Sequence, residues 1–147
     1  MPKIIFLDID GVLTSHCSFE KLGNDCDLDP EAVGLLRNLV TKHDAKIVIT
    51  STWPRNPSWP ANVLELFAHA GWADPPIIGA TPVIDGAARG VEIRAWLQAN
   101  GDIRSYVIID DDMDMLPEQL LRFVRCNEAK GFTARKAAHA DALLRRS

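Results

Sequence analysis

Strand-like apolar runs alternating with helix-like amphipathic stretches predict an α/β fold, a parallel sheet with helices on both faces. Three observations carry this. The runs Ile4-Ile5-Phe6-Leu7, Ile47-Val48-Ile49 and Val107-Ile108-Ile109 are continuously apolar, as strands buried on both faces should be. The stretches between them carry helix caps and apolar residues at helical spacing. Each of the three runs also ends abruptly in polar groups: Asp8 and Asp10, then Thr50 and Ser51, then Asp110 and Asp111. The packing of a core asks for none of these.

Residues 3–8 predict the first strand. Residues 11–28 are polar, with Gly, Asp and Asn, and predict a loop or small flap. Asp29-Pro30 supplies a capping acceptor and a first-turn proline, and Val33, Leu36, Leu39 and Val40 continue an apolar stripe to about residue 42. Residues 46–49 predict the second strand. The three prolines and two tryptophans of residues 53–60 predict a loop, with Pro60 opening a helix that closes near Gly71. Residues 76–79 predict a short third strand, 80–90 a loop, and 91–99 a helix stopped by Asn100-Gly101. Residues 105–109 predict the fourth strand and 122–126 an edge strand. Thr133 caps a last helix running almost to Ser147. If the first strand is central, with the second and fourth beside it, the three polar sets meet at one rim. Ligands of such sheets bind there, at the carboxyl ends of the strands.

The bulk numbers narrow the function. A chain of 147 residues suits one domain, 1–147, with a full core. A formal net charge of -4 excludes a general polyanion-binding field. Cys17, Cys26 and Cys126 form no CxxC pair, so reduced thiols in a cytoplasmic protein are expected. The chain enters a strand by residue 3 without a signal-peptide pattern, and no apolar run approaches a membrane span, so no membrane partner is expected.

The polar groups suggest a chemistry. Asp8 and Asp10 fall on one side of an extended chain, where like charges repel unless a cation or a proton holds them. A hard divalent metal with oxygen ligands, such as magnesium, suits them. Thr50 and Ser51 can bind a phosphoryl oxygen. One carboxylate can attack phosphorus, and a second can protonate the leaving oxygen and then activate water.

Asp8-Ile9-Asp10-Gly11-Val12-Leu13 resembles the DxDGxx signature of the haloacid dehalogenase-like (HAD) phosphohydrolases. Ile47-Val48-Ile49-Thr50-Ser51 resembles their second motif and Val107-Ile108-Ile109-Asp110-Asp111 their acidic fourth motif. The details Thr50-Ser51-Thr52-Trp53, Arg89-Gly90-Val91-Glu92-Ile93 and Gly131-Phe132-Thr133 resemble the small HAD branch associated with Swiss Army knife RNA-repair proteins. The resemblance implies a three-layer, Rossmann-like (HAD-like) sheet and a Mg2+-dependent phosphomonoester hydrolase. Asp8 would be the nucleophile and become aspartyl-phosphate. Asp10 would be the general acid and base, its backbone carbonyl also a metal ligand. Thr50 would hold the phosphoryl group, with Ser51, Gly11 and Arg55 as further substrate contacts. Asp8, Asp10, Asp110 and Asp111 would form the metal site, supported by Asp114.

The third HAD motif, a lysine, is missing: no Lys occurs between Lys46 and Lys130. Arg89 is the best substitute and Arg94 the second choice. Neither interval between motifs can house a cap domain, so the cap is minimal, a small flap from residues 12–28. An open site favours a phosphate projecting from something large, an RNA or DNA end, or a nucleotide. The alternative is a non-catalytic phosphate- or metal-binding module of a repair complex. Trp96 reads as core, and Trp53 and Trp59 as candidate base-stacking platforms.

Overall fold

In the computed structural model, residues 2–23, 27–50 and 56–146 are described. Five strands, β1 (Lys3–Leu7), β2 (Lys46–Ile49), β3 (Ile77–Ala80), β4 (Ser105–Asp110) and β5 (Phe123–Arg125), form one parallel sheet in the order β3-β2-β1-β4-β5. β1 is central and β2 and β4 flank it. In register, Leu7 lies opposite Ile49 on one side and Ile109 on the other. The next residues, Asp8, Thr50 and Asp110, therefore stand in one row across the carboxyl rim. Backbone bonds extend that alignment past the strands: Asp8 N donates to Ile109 O and Thr50 N to Leu7 O.

The helices are α1 (His16–Leu22), α2 (Pro30–His43), α3 (Trp59–His69), α4 (Arg89–Asn100) and α5 (Ala134–Arg145), with a 3-10 helix at Pro117–Arg122. Alternation in the strands divides the core in two. Ile5, Leu7, Ile47, Ile49, Val107 and Ile109 face α2, α3 and α5, while Ile4, Phe6, Val48 and Ile108 face Ile93 and Trp96 of α4. Phe6 meets Trp96 and Tyr106 edge-on, at centroid distances of 5.4 and 5.7 Å. Trp96 is thus core, as its place in the helix pattern implies. No described helix is long and apolar enough to cross a membrane.

Most boundaries fall within two residues of expectation. Asp29 caps α2, its side chain accepting from Glu31 N, and Thr133 caps α5, accepting from Lys136 N. The expectation of a loop over residues 11–28 fails at α1. Ser15 and Ser18 bond reciprocally as a capping box, and Gly23 ends the helix at φ 80°. A helix of seven residues is too short for a legible apolar stripe, but Ser-x-x-Ser followed by Gly was its signal. The 3-10 helix was not anticipated either. α4 starts at Arg89, two residues before its expected start, so Arg89 belongs to its first turn rather than to the loop before it.

Candidate active site

β1 delivers Asp8 to the rim, 5% exposed, and β4 delivers Asp110, fully buried. Beyond β4, Asp112 N donates to Asp110 Oδ1 at 2.9 Å, which turns the chain and brings Asp111 back towards β1. Asp8, Asp110 and Asp111 each offer an oxygen within 4.8 Å of the others. The loop after β1 closes against them. Gly11, at φ 81°, lies so near the Asp111 carboxylate that a Cβ on it would collide with Oδ2. Only glycine combines that backbone angle with that approach.

The fourth member is Arg89. Its Nη1 lies 3.1 Å from Asp110 Oδ2, 3.4 Å from Thr50 Oγ1 and 3.5 Å from Asp8 Oδ1. One guanidinium therefore touches the ends of three adjacent strands. Its Nε lies 4.0 Å from Glu92, whose other oxygen accepts from Ile84 N. α4 is itself pinned. Gly90 N donates to Asp114 O, and the buried Gln119 amide donates to Gly90 O and accepts from Leu116 N. A Cβ on Gly90 would meet Leu116 N at 2.6 Å, so glycine permits this approach too.

The electrostatics follow from burial. Burial first, then the charge of Asp110, push Asp8 up to about 9, against the pull of Arg89. Burial pushes Asp110 up to about 6, against Arg89 and the Asp112 N–H. Burial draws Arg89 down, but Asp110 and Asp8 prevail and hold it above its usual value. Without a cation, the raised Asp8 carboxyl is the member of the cluster that keeps a proton near neutral pH. An oxygen-only set of three converging carboxylates with surplus negative charge fits a hard divalent ion such as magnesium.

The positions named from sequence distribute as follows. Asp8, Thr50, Arg89, Asp110 and Asp111 are brought together, with Gly11 against Asp111. Asp10 is exposed, and among the described residues its carboxylate lies outside the three-oxygen cluster. Arg94 is exposed on α4. Ser51, Arg55 and Trp53 lie outside the described residues. The Asp114 side chain is exposed, and its contribution runs through the backbone carbonyl that holds Gly90. Trp59 is partly buried against the core and lines a separate depression with Leu64, Ile77 and Ile78, away from the carboxylates. Glu92, Gln119 and the α1 face were missed. The signal for Glu92 was its i+3 spacing from Arg89; Gln119 had none, because its partners are backbone groups distant in sequence.

A central β1 flanked by β2 and β4, with carboxylates and a threonine at one rim, defines a HAD-like α/β phosphohydrolase-type module. The chain belongs to the family described as the HAD domain in Swiss Army Knife RNA repair proteins, whose model matches residues 4–137. No curated protein and no solved structure matches it.

Proposed function

We propose that this chain is a magnesium-dependent phosphomonoester hydrolase working through a phospho-aspartyl intermediate. The observation that carries the reading is the single Arg89 guanidinium spanning Asp8, Thr50 and Asp110 beside three converging carboxylates. Arg89 takes the part of the missing lysine. It holds Asp8 in place and, with Thr50, grips the oxygens of the transferring phosphoryl group.

An Asp8 oxygen bonds to phosphorus as the ester P–O bond breaks, and Asp10 gives its proton to the departing oxygen. Asp10 then takes a proton from water, which attacks phosphorus and releases Asp8 and inorganic phosphate. Asp8, Asp110 and Asp111, with the Asp10 carbonyl, would hold the magnesium. Bound there, the ion supplies the positive charge that keeps Asp8 ionised and offsets its repulsion from an anionic substrate. The family's association with RNA repair supports a nucleic-acid end or a nucleotide as substrate, and a cytoplasmic setting.

The test is hydrolysis of an aryl phosphate with magnesium, lost in Asp8→Asn while the circular dichroism spectrum is kept. Turnover surviving in Asp8→Asn refutes the covalent route. Magnesium binding without hydrolysis of any phosphomonoester in a broad panel would instead make the chain a non-catalytic binding module.

A further inference from the structure

A depression of about 620 Å3 opens beside the carboxylates, within the size range of small-molecule sites, ~300–1,000 Å3. One wall is Asp10 and Gly11 of the catalytic loop after β1, with Asp111 from the turn after β4. The facing wall is α1 and its cap, which present Ser15 from the cap and His16, Phe19 and Glu20 from the helix. These are i, i+1, i+4 and i+5, one face of one helix. Asp10, the proposed proton donor to the departing oxygen, lines the depression, so the leaving group occupies it.

Phe19 is 49% exposed, a large ring held open on an otherwise polar wall. Its helix is tied down. The capping box fixes its start, and His16 N and Cys17 N donate to Glu128 O and Ala129 O. Gly131, at φ 70°, lets that segment approach Val12, whose carbonyl accepts from Phe132 N. Val12 N and Leu13 N in turn bond Ile9 O inside the catalytic loop. The ring is thus fixed relative to Asp8 and Asp10 by continuous backbone bonding. The charged lining is acidic (Asp10, Glu20, Asp111 and Glu128), which repels a further anion and offers acceptors to N–H groups.

We propose that Phe19 is a stacking platform for the base of a nucleoside whose phosphate monoester is the scissile group. This rests on the phosphatase reading above and specifies its substrate. The base stacks on Phe19, and Glu20 and Glu128 face its exocyclic amino groups. An oligonucleotide would place only its terminal nucleoside here, with its remaining phosphates outside.

The test compares kcat/KM, with magnesium, for adenosine 3′- and 5′-monophosphate, a 3′-phosphorylated oligonucleotide and ribose 5-phosphate, which lacks the base. Stacking predicts that a base-bearing substrate is preferred about tenfold or more over ribose 5-phosphate. Phe19→Ala should erase that preference through KM, and Phe19→Trp should restore it. The proposal is overturned if the base confers no preference, or if Phe19→Ala slows ribose 5-phosphate as much as the nucleotides. If the wild-type protein hydrolyses no phosphomonoester, the phosphatase reading fails by itself. Calorimetric binding of adenosine monophosphates then decides the platform: about tenfold weakening in Phe19→Ala supports it, and equal affinity refutes it.

Discussion

Asp8 makes the stability of the metal-free protein depend on pH with an unusual sign. Its folded value is raised to about 9 from 3.8, by burial and by Asp110. The folded state therefore holds a proton that the unfolded chain releases between those values. The contribution is fully present below the unfolded value and is lost as pH rises through the folded one. One proton corresponds to about 1.4 kcal/mol per pH unit. From pH 6 to 8 this amounts to about 3 kcal/mol, or roughly 6–12 °C of melting temperature for a chain of this size. The assay is thermal unfolding of wild type and Asp8→Asn in chelator across pH 5–9. Wild type should lose stability as pH rises, and Asp8→Asn, whose amide keeps the shape without the proton, should be flatter by about one proton. Magnesium should reduce the wild-type slope, because it takes the proton's place, and its stabilising effect should grow with pH. Equal slopes in the two proteins without metal would refute the reasoning.

Three further outcomes are expected. Arg89→Ala should lower kcat/KM on an aryl phosphate by about a hundredfold or more, since it removes a charged contact to Asp8, Thr50 and Asp110 together; Arg89→Lys should recover part of this, and full activity in Arg89→Ala would show that another cation serves the site. Gly11→Ala should weaken magnesium binding, read by calorimetry, because the Cβ displaces the Asp111 carboxylate. Arg122→Ala should cost about 2 kcal/mol in denaturant unfolding without changing kcat. Its guanidinium bonds Tyr106 O, Leu143 O and Ser105, at the amino end of β4, away from the site.

That placement of Arg122 also takes it out of the run of basic residues late in the chain. Of Arg122, Arg125, Lys130, Arg135 and Lys136, Arg122 is occupied in holding β4 to α5, whereas Arg125 and Lys136 line one depression with Asp111. Sequence proximity alone does not say which of these cations the fold brings together. The helix α1 was hidden for a different reason. Its capping residues were present in the sequence, yet seven residues carry too little periodicity to outweigh a polar composition.

The strands of the centre were legible because burial on both faces leaves only apolar residues, and a polar residue at such a strand's end then stands out. Asp8, Asp10, Thr50, Asp110 and Asp111 were visible on that ground alone. What tertiary structure decided was which basic residue enters the site and what lies opposite it. Arg89 and Arg94 are both arginines near the start of α4, and local sequence ranks them weakly. The Gly90–Asp114 bond and the buried Gln119 amide bring the first turn of α4 against the rim, so Arg89 reaches three strand ends while Arg94 points to solvent. The Phe19 wall was decided in the same way, by bonds from Glu128 and Ala129 to a helix more than a hundred residues earlier. Local pattern records what each segment must bury. Which segments meet depends on long-range hydrogen bonds whose partners carry no mark in the sequence.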